Sequence, residues 1–339
     1  MNYIVKDENA IYYECGYSSD NALFLKLGSE TFFITDSRYA IEAEELVQNA
    51  TVIIDGDLYN RANQLIKQSG IKKLTFDPKE WTLFHFSLLS KGVKIKFKKA
   101  PDFSHYKRII KSSEEILLLK RAVELGAEAF DNFAEAIKNS GFKEDEHRLT
   151  FMAKEALSGG GKYDLSFEPI VAVNGNASKP HALPTDKKLK KNNLLLVDAG
   201  LKYKRYCSDR TRTVFANRDF EFNYRQNFKK KKIQKAYDLV LKAHDNAIAK
   251  ARSGMKAKKI DALTRDIIEK GGMGEFYVHS TGHGVGLDIH EMPYINGRSD
   301  MRIEDNMVYT IEPGIYIPNE FGIRIEDMVT MKDGRVEVL

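Results

Sequence analysis

Cysteine is nearly absent: Cys15 and Cys207 are the only two in 339 residues. Two thiols so far apart make neither a disulfide framework nor a zinc knuckle, and they suit a reducing, cytoplasmic setting. Long apolar runs are missing too. None approaches the ~18 residues of a membrane span, so no membrane partner is expected. The opening MNYIVKDENAIYYECGY has no basic stretch followed by an apolar one, which argues against a secretory leader. Charge of one sign is scarce, the net value being +5. The basic clusters KKLKK (187–191), KKKK (229–232) and KIKFKK (94–99) are scattered and lack a recognition motif. They read as solvated loops and helix faces, and no nucleic-acid partner is expected. No solenoid-type repeat occurs. Nor does the HExxH spacing that sets two zinc ligands on one helix face.

What is present is an ordinary globular composition, 42% hydrophobic and 30% charged, at a length that suits two domains. In NALFLKLGSETFFIT two strand-like runs flank a Gly-Ser turn, which predicts a hairpin. SRYAIEAEELVQNA predicts a helix with Ser37 as N-cap. TVIID and KKLTFD read as strands, and LYNRANQLIKQSG as a helix closed by Gly70. Pro101 and its polar surroundings read as a linker. SSEEILLLKRAVELGAEAFDNFAEAIKNSG is the clearest helix, with an S-x-E-E capping start and Gly141 at its end. A second helix is expected from about Lys143 to Leu157. Beyond Phe167 the chain is strand-rich, with helices near 225–252 and 257–270. The expected class is α/β (α+β): an α/β domain over 1–108, then a larger domain of long helices and antiparallel strands over 109–339.

The chemistry-bearing residues gather in five short stretches. HSTGHGVGLDIHE (279–291) holds three of the eight histidines between glycines. It reads either as a polar loop facing water or as imidazoles aimed at a metal and a substrate, with Gly282, Gly284 and Gly286 letting the backbone bend. LLLVDAG ends a buried-strand run at Asp198, and YCSDRTRTV sets Cys207, Asp209, Thr211 and Thr213 on one face. If the turn between them centres on Tyr203-Lys204, Asp198 and Asp209 lie opposite each other, with Cβ atoms about 4.5–5.5 Å apart. Such a pair needs a proton or a cation between its members. In another register both acids point to water. MVYTIEPGIYI puts Glu312 just before a Pro-Gly turn, and FGIRIEDMVTM alternates apolar residues with Arg324 and Glu326.

In order and spacing, VDAG, YCSDRTRTV, HSTGHGVGLDIHE, IEPGIYI and GIRIEDMV resemble the motifs of the pita-bread metallopeptidases, a family that includes methionine aminopeptidases, aminopeptidase P and prolidases. FFITDSRYAIEA resembles the creatinase-type N-terminal domain of the Xaa-Pro branch. The resemblance implies a metal-ligand set of Asp198, Asp209, His283, Glu312 and Glu326 holding two divalent ions. Mn(II) is the first choice, with Co(II), Fe(II) or Zn(II) as alternatives. It further implies a metal-bridged hydroxide as nucleophile, with Glu312 relaying its proton. His181, in NGNASKPHALPTD, and His290 would face the substrate, while Tyr316 and Arg324 would orient Asp198 or shuttle a proton. His279 is as readily a structural or pocket-lining residue as a catalytic one. Tyr294, Phe167 and Val285 are candidates for the proline pocket. His85, His105, His147 and His244 read as ordinary surface or core residues.

The implied activity is hydrolysis of the Xaa-Pro bond in proline-containing di- or oligopeptides by a homodimer, the first domain shaping the substrate end of the cleft. Two alternatives stand beside this dipeptidase reading. One is aminopeptidase P, which releases the first residue of longer peptides. The other is a metal-free binding protein on the same fold.

Overall fold

The computed structural model describes residues 1–217 and 219–339 and divides into two units, Met1–Arg108 and Ile109–Leu339. The first unit runs β1 (Tyr3–Val5), α1 (Glu8–Cys15), β2 (Ala22–Leu27), β3 (Glu30–Thr35), α2 (Ala40–Leu46), β4 (Thr51–Ile54), α3 (Leu58–Gln68), β5 (Lys73–Phe76), α4 (Leu83–Ser90), β6 (Lys96–Lys99) and α5 (Phe103–Arg108). One sheet of order β4-β3-β2-β1-β5-β6 organises it. The expected hairpin pairs Leu23 with Ile34 and Phe24 with Phe33. Side chains alternate between its two faces. Leu23, Leu25 and Ile34 join the α3 core, while Phe24 and Phe33 join Ile11 and Cys15 of α1.

Two details differ from expectation. Ser37 does not cap a helix; residues Ser37–Tyr39 form a 3-10 turn capped by Asp36, whose carboxylate accepts from the Arg38 N–H. The stretch around Pro101 is not a plain linker, since Phe103 is buried and α5 forms there.

The second unit opens with α6 (Ser113–Ser140) and α7 (Glu146–Ser158). Ser112 and Glu115 form a reciprocal capping box at the start of α6, and Gly141 ends it in the left-handed conformation. Then come β7 (Asp164–Leu165), β8 (Ile170–Val173), a 3-10 turn at Asn174–Ser178, β9 (Leu194–Ala199), β10 (Leu201–Tyr203), β11 (Tyr206–Cys207) and β12 (Arg210–Phe215). Helices α8 (Lys231–Lys250) and α9 (Ala257–Lys270) follow. The chain ends with β13 (Gly282–Gly284), β14 (Glu291–Ile295), β15 (Val308–Ile311), β16 (Gly314–Ile317), β17 (Phe321–Arg324), β18 (Asp327–Lys332) and β19 (Arg335–Val338). No helix among the described residues is long and apolar enough to cross a membrane.

Every residue of β9, LLLVDA, is buried. The reason is that its sheet, β12-β9-β8, is covered on both faces. Leu195 and Val197 pack with the α6–α7 core, and Leu194 and Leu196 with the α8 core, which also holds Ile315, Tyr316 and Ile323. By the same alternation Asp198 belongs to the α8-side face. That is how an apolar strand carries an acid into the interior.

The register differs from the one considered above. Asp198 pairs with Thr211, not Asp209, and Lys202 pairs with Cys207. The turn therefore centres on Lys204-Arg205, both at positive φ (47° and 70°). Two successive positive φ values mark the mirror-image turn whose twist matches a hairpin. Asp209 falls between β11 and β12, a diagonal step from Asp198.

Candidate metal centre

HSTGHGVGLDIHE is not wholly a loop: its GHG core is a strand inside a sheet, and its last residue opens the neighbouring strand. Within the order β14-β13-β15-β18-β19, His283 sits at the centre of β13. The glycines on either side serve a purpose other than bending, since none of the three has a positive φ. A Cβ on Gly282 would lie 1.9 Å from the Thr310 carbonyl oxygen, and one on Gly284 would lie 2.2 Å from that of Met292. A Cβ on Gly286 would meet the Glu291 carboxylate at 2.6 Å. The motif is glycine-rich because neighbouring backbone and a buried carboxylate occupy the space of its side chains.

The other acids arrive at strand ends. Asp198 is the penultimate residue of β9, Asp209 precedes β12, Glu312 follows β15, and Glu326 lies between β17 and β18. Strand ends bring them to one place. His283 Nε2 lies 3.6 Å from Asp209 Oδ2 and 3.5 Å from Glu312 Oε1. Asp209, His283 and Glu326 present ligand atoms that all lie within 4.8 Å of one another, the geometry of a metal-binding group. His283 Nδ1 is 3.2 Å from the Gly284 carbonyl oxygen. Donation from Nδ1–H to that oxygen leaves the Nε2 lone pair facing the acids.

One guanidinium organises the polar floor. Arg324 Nη2 donates to Asp198 Oδ2 at 2.5 Å, Nη1 to the Tyr316 hydroxyl at 2.6 Å, and Nε to Thr211 Oγ1 at 3.0 Å. Thr211 in turn donates to Glu326 Oε2 at 2.5 Å. Tyr316 OH is 2.9 Å from His279 Nε2, whose ring Nδ1 meets the Ser280 carbonyl oxygen at 2.8 Å. The polar face of FGIRIEDMVTM thus points into the protein rather than into water: Arg324 and Glu326 are both buried.

Concentrating acids here has an electrostatic cost. Burial, then the charges of Glu326, Asp198 and Glu312, push the Asp209 carboxyl well above its usual range. Burial and Glu312 do the same to Glu326. Glu312 is pushed up to about 8, again chiefly by burial. The imidazole moves the other way: burial, then His290, lowers His283 to about 4. Each shift disfavours the charged form of a group with too little counter-charge nearby. Asp198 Oδ1 is also buried without a hydrogen-bond partner among the described residues. Buried polar atoms are normally satisfied. An oxygen-rich set with one open carboxylate oxygen and one imidazole lone pair fits divalent cations.

A cavity of about 500 Å³ opens onto this cluster. Its lining includes all five expected ligands together with His181, His290, Arg324 and His279. The His283 and His290 rings lie 4.4 Å apart at their centroids. Of the three residues suggested for the proline pocket, Phe167 lines the cavity. Val285 is fully buried and Tyr294 is 45% exposed, and neither belongs to the lining.

Sequence reasoning did not find the network beneath Glu326. Arg212 Nη1 donates to the Glu326 carbonyl oxygen at 2.6 Å and to that of Thr211 at 2.9 Å. Its Nη2 reaches Asp327 Oδ1 at 2.6 Å and the Tyr224 hydroxyl at 2.7 Å. His244, read as an ordinary residue, is buried with Nε2 2.9 Å from Asp327 Oδ2. Burial raises the Asp327 carboxyl, but Arg212 and His244 outweigh it and hold the group well below its ordinary value. The signal was available in the alternation of SDRTRTV, which puts Arg212 on the face opposite the threonines.

Fold and donor set together define a metal-dependent hydrolase. Residues 118–333 match metallopeptidase family M24, and residues 2–111 match the creatinase/prolidase N-terminal domain. The chain belongs to metallopeptidase family M24; its second unit is the pita-bread domain of that family, preceded by a creatinase-type domain. It is 32% identical to a Xaa-Pro dipeptidase of Pyrococcus horikoshii, over 96% of this chain and 88% of that one. An uncharacterised peptidase of Bacillus subtilis is also 32% identical, over 97% and 90% of the two chains. Among solved structures, a Xaa-Pro dipeptidase from Bacillus anthracis superposes with a TM-score of 0.89 at 29% identity, covering 99% of this chain and 92% of that one. An X-Pro aminopeptidase from Thermotoga maritima gives 0.88 at 28% identity, covering 99% and 94%.

Proposed function

We propose that this enzyme hydrolyses the Xaa-Pro peptide bond of dipeptides or short peptides with the help of two divalent cations, as a prolidase does. The observation that carries the reading is the acid cluster, four carboxylates and His283 lining one cavity with Arg324 as counter-charge and Asp198 Oδ1 without a partner among the described residues. Asp198, Asp209, His283, Glu312 and Glu326 would hold the cations. Mn(II) suits such donors, with Co(II), Fe(II) or Zn(II) as alternatives. When bound, the cations supply positive charge that lowers the pKa of a water and polarises a carbonyl group.

The remaining steps belong to the chain's own side chains. Glu312 accepts a proton from the attacking water and hands it towards the leaving nitrogen. His181 and His290, both on the cavity wall, donate hydrogen bonds to the substrate carbonyl as negative charge develops. Arg324 holds Asp198 and the Tyr316 hydroxyl in place. A proline nitrogen has no N–H and its ring locks φ, which is why general peptidases handle this bond poorly. Support for the Xaa-Pro substrate comes from the dipeptidase relatives named above. A homodimer in a reducing cytoplasm completes the reading, in keeping with two buried, free thiols.

The second reading is aminopeptidase P activity on longer peptides, favoured by the likeness to the Thermotoga maritima enzyme. A metal-free binding protein is disfavoured, because every ligand position holds a residue able to bind metal. Hydrolysis of Ala-Pro, Gly-Pro, Ala-Ala and Ala-Pro-Ala by one Mn(II)-loaded preparation tests all three. Cleavage confined to the Xaa-Pro dipeptides is expected, and faster release of alanine from Ala-Pro-Ala selects the aminopeptidase. Full activity in protein shown to be metal-free by elemental analysis would sink the cation-dependent mechanism.

A further inference from the structure

Glu146 is a carboxylate with no solvent exposure, in the first turn of α7 and outside the acid cluster. All of its partners are donors. Oε1 accepts from the Val173 N–H at 2.6 Å. Oε2 accepts from Asn176 Nδ2 at 2.8 Å, the Thr185 N–H at 2.8 Å and the Thr185 hydroxyl at 2.6 Å. Asn176 Nδ2 also donates to the Leu183 carbonyl oxygen at 2.9 Å. One carboxylate therefore ties the end of β8, the 3-10 turn and the far side of the segment that follows.

His181 lies in the middle of that segment. Its ring is exposed on the cavity wall, and among the described residues it makes no hydrogen bond of its own. Its position is consequently set by its backbone, which is held at Pro180 by Arg324 Nη1 (3.3 Å) and on either side by the Glu146 contacts. A buried carboxylate is costly unless fully satisfied, and an apolar residue would fill the space without that cost. What an apolar residue cannot do is hold backbone and side-chain donors from both ends of a loop at once.

We infer that Glu146 is a positioning residue, a clamp on residues 173–185 that presents the His181 imidazole to the substrate carbonyl. The inference rests on the role given to His181 above. Misplacing a catalytic donor by about 1 Å costs on the order of 10²-fold. Glu146→Gln replaces one acceptor oxygen by an NH₂ group that faces donors, so it must break at least one side of the clamp.

The experiment compares Glu146→Gln, Thr185→Val, His181→Ala and the double variant Glu146→Gln/His181→Ala in the Mn(II)-loaded enzyme. Metal content, kcat and KM for Ala-Pro, and amide hydrogen exchange are measured. Glu146→Gln should keep its metal, lose kcat on the order of 10²-fold and exchange faster over residues 174–185. Thr185→Val should move both readouts the same way by less, and it carries the test if Glu146→Gln does not fold. Adding His181→Ala to Glu146→Gln should cost little more. Unchanged exchange over 174–185, or losses that multiply in the double variant, would overturn the clamp. If His181→Ala alone leaves kcat unchanged, the assignment of His181 falls instead, and the exchange rates still decide whether Glu146 clamps the loop.

Discussion

Replacing Glu312 by glutamine should make the metal-free enzyme more stable at alkaline pH while abolishing the activity of the loaded enzyme. Glu312 is largely but not fully shielded from solvent, and its carboxyl is raised from 4.5 to about 8 in the folded chain. A raised acid keeps its proton in the folded state after the unfolded state has lost it, so stability falls as pH rises from about 4.5 to 8. The histidines oppose this at the acid end. His283 is lowered from 6.5 to about 4 and His279 from 6.5 to about 3, each chiefly by burial. A lowered histidine adds stability as pH rises to its unfolded value, so that contribution is complete near pH 6.5. Above about pH 6.5 these two histidines no longer contribute, and the groups that still titrate up to pH 8, Glu80 and His244 among them, are common to both proteins and cancel in the comparison. Over those ~1.5 units Glu312 alone removes roughly 2 kcal/mol, at about 1.36 kcal/mol per unit. Asp209 and Glu326, also raised, act in the same direction. Urea titrations of chelator-stripped wild type and Glu312→Gln at pH 6.5, 7.2 and 8.0 read the difference directly. The wild type should lose more stability than the variant across the window, and saturating Mn(II) should erase its loss. Equal pH dependence in the two stripped proteins would refute the reasoning.

Two further outcomes follow from the same geometry. His283→Ala should lose metal and activity together, because its Nε2 faces Asp209 and Glu312, whereas His290→Ala should retain metal and lose on the order of 10²–10³ in kcat; elemental analysis beside steady-state kinetics separates them, and the reverse pattern would mean that the two roles are exchanged. Asp327→Asn leaves the buried Arg212 guanidinium without its charge partner and should destabilise the second unit by about 3–5 kcal/mol, read by thermal or urea unfolding.

The gathering of the four acids was legible in the sequence because each stands at or beside the end of a strand-like run, and ends of neighbouring strands gather side chains; His283 instead sits inside β13. The capping box at Ser112 and the Gly28-Ser29 hairpin were legible for the same kind of local reason. The register between β9 and β12 was not. Its turn uses Lys204 and Arg205 at positive φ instead of the Asn-Gly pair that normally advertises such a turn. Short strands such as β1 and β6 carry too few residues to display a period. Glu146 was hidden in FKEDEHRLTF, where it looks like one more surface acid; only tertiary contacts with residues 173–185 distinguish it. The glycines of GHGVG were noticed for the wrong property. Bending is local and readable, while crowding by a neighbouring strand is not.

That crowding limits how this protein can be made more robust. Exchanging glycine for alanine ordinarily stabilises a fold by about 0.4–1 kcal/mol, since the unfolded chain then has fewer states to lose. Gly282 and Gly284 are closed to that remedy, because the added methyl would sit inside the carbonyl oxygens of Thr310 and Met292. The strand that presents His283 is therefore built from the residues that lose the most freedom on folding. Tolerance of heat has to be gained elsewhere in the chain, and sequence drift at these two positions is confined by sterics even where it would leave every acid and imidazole untouched.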